Sequence, residues 1–143
     1  LIQEAKKCDV RCKIMYNASI LDAVAETGLQ IYKFGKIASM PEFEADSFMD
    51  VVKENQSIKA HSLILIDIGL EFKDAIGRLE KTVEKQKIKL NKVVVCQALG
   101  TKDSKIMYRY TEELKYFAGV KKPYCFIIPG KLHFVEKEVL DEF

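Results

Sequence analysis

The most reactive side chains in this chain are two histidines, His61 and His133, and four cysteines, Cys8, Cys12, Cys96 and Cys125. Lys131, which follows the dipeptide Pro129-Gly130, joins them as a candidate. The histidines stand far apart in sequence and no Cys-x-x-Cys pair occurs, which argues against a zinc site. Cys96 and Cys125 lie in apolar runs, where a thiol behaves as a small hydrophobe. Reduced, buried thiols suit the cytosol. Neither a Ser/His/Asp triad nor a persuasive pair of carboxylates can be read from the spacing. The best-placed cations are Lys131 and His133. Tyr124-Cys125-Phe126-Ile127-Ile128 is an apolar run fit for a buried strand, and Pro129-Gly130 stops it. Lys131 and His133 therefore fall at a strand end, where ligands of α/β sheets gather. Capping and surface pairing account for Lys131, His133 and Asp67 equally well.

The elements that must hold these residues alternate between strand and helix patterns. Val10 to Tyr16 suits a strand, and Ile20 to Thr27 a short helix closed by Gly28. Leu29 to Phe34 and Lys36 to Met40 read as a β-hairpin around Gly35. Ser47 is placed to cap a helix reaching about Ser57. Ser62 to Ile68 is an apolar strand, and Phe72, Ala75, Ile76, Leu79 and Val83 trace one helix face. Lys92 to Leu99 and Lys105 to Tyr110 are further strands. Thr111 is expected to cap a helix closed by Gly119. The Tyr124 strand and a terminal helix through Phe134, Val135, Val139, Leu140 and Phe143 complete the order. This predicts an α/β domain with a mixed sheet flanked by helices. Helical crossovers favour parallel neighbours, and the Gly35 turn favours one antiparallel pair.

Composition supports one globular unit. A chain of 143 residues buries about 70% of the surface its unfolded form exposes. Its 23 basic and 21 acidic residues leave a net charge of +2, which is no footprint for nucleic acid or an anionic membrane. The Lys81 to Lys92 stretch is broken by Glu80 and Glu84 and reads as a solvated helix face. Leu1 to Lys7 reads as a helix already under way, with no apolar span or signal segment. No Gly-x-Gly-x-x-Gly phosphate loop occurs.

Several segments together carry a resemblance to a known family. Pro129-Gly130-Lys131-Leu132-His133-Phe134-Val135-Glu136 resembles the C-terminal signature of the diphthine synthase family. Asn17-Ala18-Ser19-Ile20 and the run from Thr27 to Lys36 are similar to its middle region. Ser47 to Asn55 and His61 to Ile68 match its next helix and strand, and all occur in family order along the whole chain.

The resemblance implies the C-terminal domain of a tetrapyrrole-methylase-like (class III) methyltransferase, residues 1–143, opening with the end of an interdomain helix. A preceding domain of roughly a hundred residues would complete it. It also implies S-adenosyl-L-methionine as cofactor, with S-adenosyl-L-homocysteine as product. The protein substrate would be translation elongation factor 2, methylated on its 3-amino-3-carboxypropyl-histidine in diphthamide biosynthesis. A cytoplasmic homodimer is implied as well. Carried over by position, Ser19, Ile20, Ile66, Leu99 and Tyr124 are the cofactor-binding candidates, with no metal. Leu99 stands where relatives usually have a smaller residue, and Tyr124 where many have histidine. Lys131 is the candidate to orient the acceptor's carboxylate. A tetrapyrrole methylase, or a non-catalytic dimerisation or binding domain, is the alternative reading.

Overall fold

The computed structural model describes residues 1–15 and 19–143. Among the described residues a single sheet of five strands has the order β1-β2-β5-β3-β4. The strands are β1 (Ala38–Met40), β2 (Ser62–Ile66), β3 (Lys92–Gln97), β4 (Lys105–Tyr110) and β5 (Tyr124–Ile128). The helices are α1 (Ile2–Lys7), α2 (Ile20–Ala23), α3 (Ser47–Ser57), α4 (Phe72–Gln86), α5 (Thr111–Leu114) and α6 (Phe134–Leu140).

Strand alternation sorts the apolar side chains into two layers. Ile64, Val93, Val95, Phe126 and Ile128 point to one face, where Phe48, Met49 and Val52 of α3 and Ala75, Ile76 and Leu79 of α4 cover them. Leu63, Val94, Cys96, Cys125 and Ile127 point to the other, under Val24, Leu29 and Leu140 of α6. Helices on both faces explain why β5 is buried along its whole length.

The mixed sheet stands, but its pairing differs from the sequence expectation. Only β1 and β2 are parallel neighbours, while β2·β5, β5·β3 and β3·β4 are antiparallel. The helical crossovers do keep β1, β2 and β3 running the same way, as expected of such connections. β5 then inserts between β2 and β3 in the opposite sense, and a short loop turns β3 back into β4.

The expected hairpin at Gly35 is absent. Residues Ile31–Lys33 form a 3-10 turn, and the chain then runs alongside β2 without turning back. Gly35 serves close approach instead of reversal. A Cβ there would lie 2.1 Å from the Asn55 side-chain oxygen. The space lets Asn55 accept from the Lys36 N–H at 2.9 Å and donate to the Lys36 carbonyl at 2.8 Å.

Other boundaries also move. Residues 10–15 pair with no strand, and Val10, Ile14 and Met15 are exposed, because no sheet edge receives their alternating pattern. Tyr16, the last residue of that expected strand, and Asn17-Ala18 lie outside the described residues. Asp46, not Ser47, occupies the N-cap of α3, and Tyr110, not Thr111, that of α5. α5 is a single turn that ends well before Gly119. No helix among the described residues is long and apolar enough to cross a membrane.

Gly130 makes the tightest backbone approach. A Cβ on it would sit 2.4 Å from the Ala60 carbonyl oxygen and 2.5 Å from that of Lys59. Neither backbone atom can swing away as a side chain would. Gly130→Ala is expected to cost about 2–3 kcal/mol, through strain and loss of the hydrogen bond from the Gly130 N–H to His61. A urea midpoint unchanged from wild type would show that the turn relaxes freely.

Candidate cofactor site

Because β5 runs against β2 and β3, its first residue lies beside their last. Ile66 at the end of β2, Leu99 just past β3 and Tyr124 at the start of β5 thus come to one sheet edge. Ser19 and Ile20, at the start of α2, approach the same edge from the second face. These five residues, which span more than a hundred positions of sequence, line one cleft of about 430 Å³. That volume lies within the usual range for small-molecule sites.

The walls are mostly apolar, with Ile20, Ala23, Leu65, Ile66 and Leu99 among the lining residues. Ser19 supplies a hydroxyl at the rim. Its oxygen caps α2 by accepting from the Leu21 N–H at 3.2 Å, so its own proton remains free to donate. Helix capping and a cofactor contact are therefore compatible. Cys96 and Cys125 face each other across β3 and β5 at the floor of the cleft. Hydrogen bonding to the Cys125 thiol and burial push the Cys96 thiol far above its ordinary value, so it stays protonated and is no nucleophile.

Tyr124 enters this site differently from its sequence reading. Its ring packs in the first layer against Phe72 and Phe126, and its hydroxyl donates to the Leu70 carbonyl at 2.9 Å. Burial raises its pKa further. The hydroxyl is thus already committed, which leaves mainly the backbone of Tyr124 for the cleft. Asp67 is likewise occupied locally, accepting from the Gly69 N–H at 2.9 Å.

Lys131 does not join the cleft. From Tyr124 to Ile128 the chain travels about 13 Å along β5, and Lys131 follows beyond the Pro129-Gly130 turn. It lies at the opposite sheet edge, beside the start of β3, and lines other hollows. Among the described residues no cluster of His, Cys, Asp or Glu could hold a metal ion.

One residue beside the cleft escaped the sequence reading. Glu26 follows α2 and accepts from the Gly100 N–H at 2.9 Å and the Ser104 hydroxyl at 3.1 Å. It thereby ties the loop carrying Leu99 and Gly100 to the helix carrying Ser19 and Ile20. Its partners are 74 and 78 residues away, so no local pattern reveals it. Glu26→Ala in the full-length protein is expected to weaken S-adenosylhomocysteine binding by up to about thirtyfold, from two lost hydrogen bonds of about 1 kcal/mol each. Glu26→Gln, which still accepts, should recover part of that loss. Calorimetric titration of both variants checks this, and equal affinities throughout would dismiss the tether.

The Pro129-to-Glu136 motif builds something else, a buried ionic anchor. Glu136 and His61 are fully buried. Glu136 accepts from the Gln30 N–H at 2.9 Å, His61 Nε2 at 3.0 Å, the His133 N–H at 2.7 Å and the Lys33 ammonium. His61 Nδ1 accepts from the Gly130 N–H at 2.9 Å, which leaves its proton on Nε2, directed at Glu136. Burial alone would raise the Glu136 pKa. The His133 N–H, Lys33, the Gln30 N–H and His61 overcome it and bring the carboxyl down to about 2. The His133-x-x-Glu136 spacing of a capping box was the readable signal for this carboxylate.

Comparison with known proteins gives these features a context. No family model matches the chain. A diphthine synthase of Methanococcus maripaludis is 32% identical over 96% of this chain and 59% of its own length. One of Methanocaldococcus jannaschii is 35% identical over 96% of this chain and 60% of its own length. The chain thus spans about three-fifths of the length of the curated relatives it matches. A crystal structure of a diphthine synthase superposes with a TM-score of 0.88 at 29% identity, over 99% of this chain and 58% of that one. A protein of Entamoeba histolytica superposes with a TM-score of 0.91 at 24% identity, over 99% of this chain and 63% of that one, which bears on the fold alone. In sequence along nearly its whole length, and in fold, this chain is similar to the diphthine synthases.

Proposed function

We propose that this chain forms one wall of the cofactor cleft of an S-adenosylmethionine-dependent methyltransferase of diphthamide biosynthesis. The observation that carries the reading is the convergence of Ser19, Ile20, Ile66, Leu99 and Tyr124 on one cleft. The motifs that suggested them are scattered along the chain, and only the fold joins them. The protein substrate in this reading is elongation factor 2, presented through its 3-amino-3-carboxypropyl-histidine. The working form in this reading is a cytoplasmic homodimer.

The donor set fits such a cofactor. Apolar side chains of Ile20, Ile66 and Leu99 suit an adenine and ribose face and keep water from it. Strand-end backbone near Leu99 and Tyr124 and the Ser19 hydroxyl suit polar edges. The chemistry that S-adenosylmethionine supplies when bound is an activated sulfonium methyl open to in-line displacement. This chain's residues then contribute mainly position: an amine held near a fixed methyl needs no enzyme nucleophile. The protonated, buried Cys96 thiol at the cleft floor accords with that division of labour.

The test is methyl transfer from labelled S-adenosylmethionine to elongation factor 2 by the full-length protein, alongside titration with S-adenosylhomocysteine. Binding and transfer together support the reading. Binding with transfer to a tetrapyrrole instead would move the protein to a neighbouring activity, and no binding at all would reject the cleft.

A further inference from the structure

The overall charge of +2 conceals a segregated face. At the end of the sheet opposite the cleft, two adjoining hollows of about 560 and 220 Å³ share Lys59, Lys131 and Leu132. Their linings include Lys33, Lys59, Lys89, Lys92, Lys131 and His133, and no carboxylate. The chain carries nearly equal numbers of basic and acidic residues, so a surface drawn at random would mix the signs. Lys33 is committed to Glu136, but Lys59, Lys89, Lys92 and Lys131 make no ion pair among the described residues.

The backbone that carries two of these cations is held in place. Lys59 and Lys131 stand on the rim common to both hollows. The Lys131 N–H donates to the Lys59 carbonyl at 3.2 Å, and Gly130 packs against that same carbonyl. The His61–Glu136 anchor lies directly beneath. Such a rim binds with little ordering cost. Tyr32 and Ile58 line the larger hollow and are strongly exposed, 82% and 69%. They offer apolar contact between the charges.

We propose that this face docks an acidic, carboxylate-rich segment of a protein partner. Resting on the functional reading above, that partner is the protein substrate. Clustered lysines interleaved with an exposed tyrosine and isoleucine suit a peptide carrying both carboxylates and apolar side chains. Neither hollow contains an arginine, the residue whose planar fork is most suited to phosphate. Lys131 thus keeps a substrate-binding role, but as a remote grip. A macromolecular substrate held at one sheet edge leaves its reacting residue free to enter the cleft at the other.

Lys59→Glu combined with Lys131→Glu tests this in the full-length protein. Both side chains reach solvent, and their backbone hydrogen bond does not depend on the charge. Lys53→Glu combined with Lys73→Glu changes the net charge equally at exposed sites elsewhere. The probe is a fluorescein-labelled decaglutamate peptide followed by anisotropy at low and high salt. Wild type and the control pair are expected to bind in a salt-sensitive manner, and the Lys59/Lys131 pair roughly tenfold more weakly. Equal binding by all three proteins, equal weakening by both pairs, or tighter binding of polyuridine RNA than of the peptide overturns the proposal. With elongation factor 2 as substrate, the Lys59/Lys131 pair should raise KM and leave kcat and S-adenosylhomocysteine affinity unchanged. Wild-type KM in that pair also overturns the link to the substrate. Absence of any transfer by wild type would reject the functional reading, while the peptide arm still decides the docking face.

Discussion

Glu136→Ala is expected to lower the free energy of unfolding by about 3–5 kcal/mol, the usual cost of breaking a buried pair from one side. The substitution strands the Lys33 ammonium, the His61 Nε2–H and the N–H groups of Gln30 and His133, all of which converge on that carboxylate. It also leaves a cavity where packing is dense. Glu136→Gln keeps the volume but turns one acceptor into a donor facing another donor, so it should recover only part of the loss. The pH dependence gives a second, independent readout. A carboxyl lowered from 4.5 to about 2 contributes stability that is complete above pH 4.5 and drains away as the pH falls towards 2. For this fully buried group the contribution is roughly 3 kcal/mol. His61 adds a loss that begins higher. Burial holds its pKa below 6.5 against the pull of Glu136, so below pH 6.5 the unfolded chain takes up a proton that the folded one resists. Urea titrations from neutral to acid pH should show wild type weakening below 6.5 and more steeply below 4.5. Glu136→Gln should lose the lower step. A variant that keeps the wild-type midpoint and the wild-type acid profile would show that the anchor contributes nothing net.

Leu99→Trp and Ile66→Trp are each expected to raise the dissociation constant for S-adenosylhomocysteine tenfold or more in the full-length protein, with little change in Tm. Both residues are only half-buried where strands end at the cleft, and both line it. An indole there has room to extend into the cleft and occupy ligand space. A true core position would respond the other way, with overpacking costs of about 1–3 kcal/mol and unaltered affinity. Ile66 is the stricter test, because it also packs against the first apolar layer. Parallel melts and titrations separate the cases. A sharply lowered Tm with wild-type affinity would return either residue to the core.

The parts of this fold that were legible in the sequence are those with a regular period. α4 follows from Phe72, Ala75, Ile76 and Leu79, and β5 from its unbroken apolar run, because periodicity reports burial directly. Gly35 was misread because a glycine needed for close approach looks the same in sequence as one needed for a turn. The distinction lies in Asn55, which only the fold brings near. The cleft candidates were legible through motif resemblance, yet resemblance gave no directions for the strands. Lys131 was therefore set at a strand end without knowing which edge of the sheet that end faces. Glu26 went unnoticed for a related reason: its partners lie 74 and 78 residues away, beyond the reach of any window. Glu136 was legible only as a capping-box residue, and its distant partners Lys33 and His61 were not.

The place of β5 in the sheet has a consequence for the growing chain on the ribosome. β5 is the central strand, yet it is the last of these five to be synthesised. Until Tyr124–Ile128 has emerged, β1-β2 and β3-β4 are separate two-stranded pieces, each with an unsatisfied edge. Such pairs are marginal by themselves, and open edges invite pairing with other chains. The nascent sheet therefore carries its aggregation risk until β5 joins the two halves. The same late stretch delivers Gly130 and Glu136, so the keystone strand and its ionic lock arrive together. A stop shortly before Tyr124 would leave two strand pairs with nothing to join them.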